Sequence, residues 1–376
     1  MSAGPTIYLH VGLPKTGTTF LQDLMREHAD ALAAEGLRYP LQGAPDHFLP
    51  ALDARGNLAF AGVERPEAAG TWAALVREAA AAPDRALISH EVLATADAPH
   101  ARAAVQALTR FDAHVVVTAR DPARQVVADW QESVKHGRSQ SFGAYLRRGG
   151  VRRSSAAAEG TRTFQAQRLP EVLRRWGAEL APDHVHVVTV PPHGSDSGLL
   201  WERFAGLLGV DDPHRFKPGS SVRRNERLGV ADIELLRRVN RALRTRVDRS
   251  VRTRLTKDVY AQTVLPRVSS TAPPVLPAKL RPELDAISQQ WIDDIRQHEY
   301  DVRGDLQDLM PQHVDGPAPT DWSSTELIDT SVAATAELLA EIATLTSELE
   351  ELRRRHKRLS PRHLAGRIRR RLQRRS

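Results

Sequence analysis

The segment His10-Val11-Gly12-Leu13-Pro14-Lys15-Thr16-Gly17-Thr18-Thr19-Phe20 constrains the fold of this chain more than any other stretch. Before it, Thr6 to Val11 is a short apolar run suited to a buried strand. After it, Phe20, Leu21, Leu24, Met25, Ala31 and Leu32 recur at helical spacing. A loop that joins a strand to a helix directs successive backbone N–H groups and the positive end of the helix dipole to one point. Lys15 adds a full charge there, and Thr16, Thr18 and Thr19 add hydroxyl donors. The natural occupant of such a place is an anion.

The glycines keep the spacing of a nucleotide-binding P-loop, but the lysine does not. A Walker A loop reads G-x-x-x-x-G-K-[ST], with lysine directly after the second glycine. Here Thr18 follows Gly17, and the lysine lies inside the loop at Lys15. The run Pro14 to Phe20 is proline, lysine, a hydroxyl residue, glycine, two threonines and an aromatic. At every position it resembles the 5′-phosphosulfate loop of sulfotransferases that use 3′-phosphoadenosine 5′-phosphosulfate (PAPS). The resemblance implies that Gly12, Pro14, Lys15, Thr16, Gly17, Thr18 and Thr19 hold the donor and that Phe20 stacks on its adenine; the alternative for Phe20 is a core position in the first helix.

Length and composition bound what the loop belongs to. A chain of 376 residues exceeds one average domain, yet single α/β domains of roughly 250 residues are routine and leave room for an addition. The chain has no cysteine, which excludes disulfides, thiolate nucleophiles and cysteine-ligated metals. It carries no signal-like leader, and no stretch approaches ~18 unbroken apolar residues, so a cytoplasmic protein without a membrane span is expected. The net charge of +7 lies largely in the final arginine-rich residues and says little about the domain itself.

Apolar runs alternate with helical stretches, the pattern of parallel strands joined by helices. Strands are expected at Thr6–Val11, Ala86–Ser89, Ala113–Thr118 and His184–Val190, and helices at Phe20–Glu35, Gly70–Ala82, Ala101–Arg110, Ala123–Lys135, Phe164–Ala178, Ser197–Leu208 and Val230–Val247. The expected fold class is therefore α/β, a P-loop-like three-layer arrangement around a central parallel sheet, with a helical, coiled-coil extension at the C-terminus. In open sheets of this kind ligands sit beyond the C-terminal ends of the strands. Two polar clusters lie at such ends, Ser89-His90-Glu91 and Arg120-Asp121-Pro122.

The stretch from Val115 to Pro122 resembles the second PAPS element of the family, in which an arginine at the strand end binds the 3′-phosphate. Arg120 takes that position, and a guanidinium suits phosphate through its bidentate fork. The alternative is an arginine paired with Asp121 or capping the next helix. A serine eight positions later is usual in the family; here the position is Ala128, with Arg124, Gln125 or Gln131 as substitute donors. A third family element, a late basic loop over the nucleotide, corresponds to Ser221–Gly229 with Arg224 as the contact, although the usual arginine-lysine-glycine run is absent.

Sulfuryl transfer, like phosphoryl transfer, leaves the protein mainly positioning and charge stabilisation. Lys15 would neutralise charge on the leaving phosphate, and a base must take the acceptor's proton. His90 and Glu91 are the candidates, and in the family both a histidine and a glutamate occur at this strand end. Histidine is favoured slightly, because its ordinary pKa lies near neutrality. His10 is read as structural, and Asp46 and His47 as possible acceptor-pocket residues by location alone. No metal is expected, since the histidines lack an H-x-x-x-H or H-E-x-x-H spacing. The acceptor is a hydroxyl of a glycan, lipid or secondary metabolite. Two other readings stay open: a nucleotide-dependent kinase, and a non-catalytic domain that binds adenosine 3′,5′-bisphosphate (PAP) or a glycan.

The sulfotransferase-like domain is placed at residues 1–310, and Pro311, Gly316, Pro317 and Pro319 mark a linker over 311–325. Ile328, Thr335, Leu338, Ile342, Leu345, Leu349 and Leu352 then follow three- and four-residue steps, which argues for a short coiled coil over 326–352 and association of chains. A single helix laid back on the domain is the alternative. The basic tail, 353–376, carries Leu364, Ile368 and Leu372 among arginines. It suits an anionic membrane surface or a polyanion, which would make the protein peripheral at a membrane. Specific nucleic-acid recognition is not expected, because the charge lacks interleaved aromatics.

Overall fold

Six parallel strands run through the centre of the protein, in a computed structural model that describes residues 4–41, 46–60, 63–149, 168–196, 198–217, 219 and 228–359. The strands are β1 (Thr6–His10), β2 (Leu37–Arg38), β5 (Arg85–Ser89), β6 (Asp112–Ala119), β7 (Val185–Thr189) and β8 (Asp301–Arg303), in spatial order β2-β5-β1-β6-β7-β8. A separate antiparallel ribbon pairs β3 (Ala59–Phe60) with β4 (Val63–Glu64). The chain passes from β5 to β6 across β1, so β1 is flanked by both. Ligands collect at such a reversal of strand order, beyond the C-terminal strand ends.

Helices cover both faces of the sheet, because alternate residues of each central strand point to opposite apolar layers. One layer joins Ile7, Leu9, Ala86, Ile88, Val115, Val117, Val185 and Val187 to α3 (Phe48–Ala54), α4 (Thr71–Ala80), α5 (Ala98–Gln106), α6 (Pro122–Lys135), α7 (Phe142–Gly149), α8 (Leu169–Gly177), α10 (Val230–Leu243) and α11 (Arg281–Gln297). The other joins Leu87, Val116 and Val188 to α1 (Thr18–Glu27), α2 (Ala29–Ala34) and α9 (Leu199–Leu207). The four expected strands are present to within a residue or two. The expected first helix is instead two, broken at His28, whose backbone leaves the helical region and whose ring bonds the Lys217 carbonyl at 3.0 Å. Unforeseen from the sequence are the two- and three-residue edge strands β2 and β8 and the helix α11. After α10 a helical run over 249–268 is wound as π-helix between Leu255 and Val264.

The C-terminal extension departs from the expected division. One helix, α12 (Ser324–Leu359), begins inside the expected linker. Its first turns lie on the domain: Leu327, Thr330 and Ala334 are buried, and Leu338, placed in the seam by its spacing, packs on the main core. Arg267 fastens this half through Glu337 at 2.6 Å and Glu341 at 3.4 Å. The reason is a second stripe, 327, 330, 334 and 338, beside the expected one and apolar enough to cover α10 and the helical run. Ile342, Leu345, Leu349 and Leu352 further along are exposed. The tail after Leu359 lies outside the described residues. Among the described residues, no helix is long and apolar enough to cross a membrane.

Candidate functional site

The loop after β1 is built by backbone geometry that few sequences tolerate. Gly12 and Gly17 have φ of 107° and 90°, and Lys15 between them adopts φ 67°. A side chain at position 12 would stand 3.2 Å from the Cα and Cβ of Glu91, so glycine is required both for conformation and for room. The end of β6 pins the first half of the loop: Leu13 N–H donates to the Thr118 carbonyl at 2.9 Å, and Thr118 N–H to the Gly12 carbonyl at 2.7 Å. Gln125 Nε2 donates to the Pro14 carbonyl at 3.2 Å, and Arg120 Nη1 to the Lys15 carbonyl at 3.0 Å. Gly17 then starts α1 without a side-chain cap, which leaves the first N–H groups of that helix without intrahelical partners.

Beneath the loop lies a buried polar chain. His47 Nδ1 accepts from Ser89 N–H at 3.0 Å, and its other nitrogen donates to the Pro40 carbonyl. Ser89 Oγ lies 2.8 Å from His10 Nδ1, and His10 Nε2 lies 3.0 Å from Thr118 Oγ1, which is 2.6 Å from Thr16 Oγ1. Burial pushes both His10 and His47 down to about 4, so both rings are neutral at neutral pH. His10 is structural, as its position suggests. His47 is a brace within the same chain and does not line an open pocket. Thr16 is fully buried and donates its hydroxyl to the Leu13 carbonyl, so only its backbone can serve an anion. Thr19 is exposed, and Phe20 is partly buried against the second apolar layer.

Glu91 and His90 follow β5 and meet the loop differently. Glu91 accepts from Gln22 Nε2 at 3.4 Å and from the Thr18 hydroxyl. Burial alone would raise its carboxyl; His90 and these hydrogen bonds outweigh it and hold the group below the ordinary carboxylate range. His90 Nδ1 accepts the Val92 N–H at 3.1 Å and caps the following turn. That bond places the ring hydrogen of neutral His90 on Nε2, so the lone pair a base needs is already engaged.

On the other side of the loop stands a cluster not foreseen from the sequence. Lys15 Nζ is 2.9 Å from Glu132 Oε2 on α6. Lys257 reaches Glu132 Oε1 at 3.5 Å and His136 reaches it at 3.0 Å. Burial would raise the Glu132 carboxyl, but His136, Lys15 and Lys257 together hold it far below the usual range. Lys135, buried nearby, is pushed below the usual lysine value by burial and by Lys15 and Lys257. No local spacing signals this cluster, because Lys15 and Lys257 lie far from α6 in the sequence. The three substitutes considered for the family serine are all engaged: Arg124 with Asp121 and the Pro191 carbonyl, Gln125 with Pro14, and Gln131 with the Leu228 carbonyl at 3.2 Å. Asp121 itself caps α6 by accepting from Arg124 N–H at 2.9 Å. Arg224, with the rest of 221–227, lies outside the described residues.

The arrangement thus gathers the loop, Glu91 and Arg120 at the C-terminal ends of three neighbouring strands, β5, β1 and β6. Chemically it offers backbone donors, a lysine and an arginine for an anion, with two carboxylates close by, Glu91 and the Glu132 that pairs with Lys15. No protein-family model, curated protein or solved structure matches the chain.

Proposed function

We propose that the protein is a sulfotransferase that moves the sulfuryl group of PAPS to an acceptor hydroxyl. The observation that carries this reading is Lys15 in the crown of the loop, between two glycines of positive φ, with Arg120 from the next strand bound to its carbonyl. A lysine so placed lies before the helix start, where it meets the transferring end of a phosphosulfate held by the loop amides. In the proposed step the acceptor oxygen attacks sulfur and the bond from sulfur to the 5′-phosphate oxygen breaks. The electron pair leaves on PAP, and the acceptor's proton passes to a base.

Glu91 is the base in this reading, because its carboxylate is ionised and adjoins the loop while His90 caps a turn. Negative charge on the bound donor raises the Glu91 carboxyl from its depressed value toward the operating pH, as a like charge does. Lys15 and the amides of Gly17, Thr18 and Thr19 stabilise the leaving phosphate, and Arg120 serves the 3′-phosphate. Calorimetric titration with PAP and with ATP tests the reading. PAP is expected to bind at least ~10-fold more tightly, the difference made by a 3′-phosphate held by a guanidinium. Binding of ATP in preference to PAP would indicate a kinase, and PAP binding without any release of PAP from PAPS a non-catalytic domain.

A further inference from the structure

At the opposite ends of the same strands, Asp112, His114 and His184 bring one potential ligand atom each to within 4.8 Å of one another. They come from the start of β6 and from the turn before β7. The neighbouring side chains determine which hydrogens this cluster holds. His186 Nδ1 lies 2.6 Å from Asp301 Oδ2 and must donate to it, because an ionised carboxylate only accepts. In a neutral His186 ring Nε2 is then an acceptor, and the ring nitrogen 2.8 Å from it, His114 Nδ1, is the donor. The remaining nitrogen of His114, Nε2, therefore presents a lone pair, and it faces Asp112 Oδ2 at 3.3 Å. Two acceptors at that distance repel unless a proton or a metal cation lies between them.

We propose that Asp112, His114 and His184 form a site for a divalent transition metal of the zinc type. A shared proton would account for Asp112 and His114 alone, whereas a nitrogen of His184 also lies within 4.8 Å of both ligand atoms; its ring, stacked on that of His114 at 4.2 Å, must tilt out of the stack for both lone pairs to reach one ion. Ligand atoms each about 2.0–2.1 Å from a tetrahedral zinc stand about 3.3 Å apart, the separation already found between His114 and Asp112. Two imidazoles and one carboxylate favour zinc over magnesium or calcium, which prefer all-oxygen sites. The relay from Asp301 through His186 to His114 is the hydrogen-bonded support that metal-bound histidines usually have. Asp112 is exposed, so an ion can enter from solvent and keep water as its fourth ligand. The site is independent of the proposed sulfuryl transfer.

The test is calorimetric titration of the full chain, free of any polyhistidine tag and stripped with a chelator, with zinc chloride. Saturable binding of one zinc per chain is expected, with no heat from magnesium. Asp112→Asn and His184→Ala, both at the surface and compatible with folding, should each weaken binding by at least ~10-fold, and His186→Ala, acting only through His114, by about 10- to 100-fold. Absence of zinc binding by the unaltered chain would leave a shared proton in the cluster and overturn the proposal. Equal binding by His184→Ala and Asp112→Asn would place the ion elsewhere and overturn it as well.

Discussion

Lys15 and Glu132 form an ion pair of 2.9 Å across the gap between the loop and α6, so the charge that an anion would meet is balanced by a protein carboxylate. Lys257, His136 and the buried Lys135 surround the same carboxylate, which leaves an excess of positive charge once it is removed. Glu132→Gln is therefore expected to act with opposite signs on stability and affinity. Loss of the one anion among three lysines should cost about 1–2 kcal/mol of folding stability, a figure reduced for partial exposure. The same change should tighten PAP binding several-fold, because a charge that repels the ligand is gone. Denaturant melts and calorimetry on one preparation measure both, and weaker PAP binding would show that Glu132 orients Lys15 rather than competing for it.

Lys15→Ala is expected to lower release of PAP from PAPS by ~100-fold or more, on the order of 3 kcal/mol of transition-state stabilisation, as when one preorganised donor is removed from an oxyanion site. Near-normal turnover in this variant would remove the loop from the chemistry.

His90 and Glu91 separate by substitution. Glu91→Gln should cut turnover ~100-fold or more with PAP binding retained. His90→Ala should cost mainly the cap on the Val92 N–H, about 1 kcal/mol of stability. The reverse pattern of rates would return the base to histidine. Because Glu91 is held below the ordinary carboxylate range, stability from its contacts is present above the unfolded value near 4.5 and is lost as the pH falls through the lower folded value.

Acid should weaken the fold earlier than carboxylates alone predict. His10 and His47 titrate near 6.5 when unfolded and at about 4 when folded, so between those values the unfolded chain binds more protons and stability falls with pH. Each contributes at most ~3 kcal/mol, complete above pH ~6.5 and gone below pH ~4. Denaturation at pH 7 and pH 5 should show the loss, and His47→Gln should reduce its slope by about one proton. An unchanged slope would mean that His47 titrates normally.

The conformation of the loop was legible because it is local: two glycines, a lysine and a helix start within eleven residues specify a tight strand-to-helix turn without knowledge of the rest. The central strands were legible for the same reason, as apolar runs needing cover on both faces. Glu132 was not, since its partner lies more than a hundred positions earlier and only the packing of α6 beside the loop joins them. The histidine cluster was hidden because strand geometry, not helix spacing, assembles it. Asp112-x-His114 opens β6, and His184-x-His186 runs from the turn before β7 into that strand, a pattern that a search for histidines one helical turn apart passes over. The edge strand Asp301–Arg303 has too few apolar residues to announce itself, yet it supplies the carboxylate that fixes the tautomers.

The extension calls for two truncations, because its first turns are docked on the domain and its later ones are exposed. Removal of everything after Leu309 takes away Leu327 and Ala334 and uncovers the core beneath them, so it should destabilise the domain. Truncation after Glu341 keeps the docked turns and the Arg267 ion pairs and should leave stability unchanged. What it removes is the exposed row Ile342, Leu345, Leu349 and Leu352, at 50%, 52%, 47% and 62% exposure. We propose that a second copy of the chain covers this row through the same heptad steps, which would set two basic tails side by side. Each arginine near an anionic bilayer is worth roughly 1 kcal/mol, so pairing the tails multiplies a weak attraction. Light scattering should then find a dimer for the full chain and a monomer after truncation at Glu341 or in Leu345→Glu. Salt-sensitive binding to phosphatidylserine vesicles should weaken in parallel. A full chain that is monomeric at micromolar concentration would leave the row uncovered and refute the pairing.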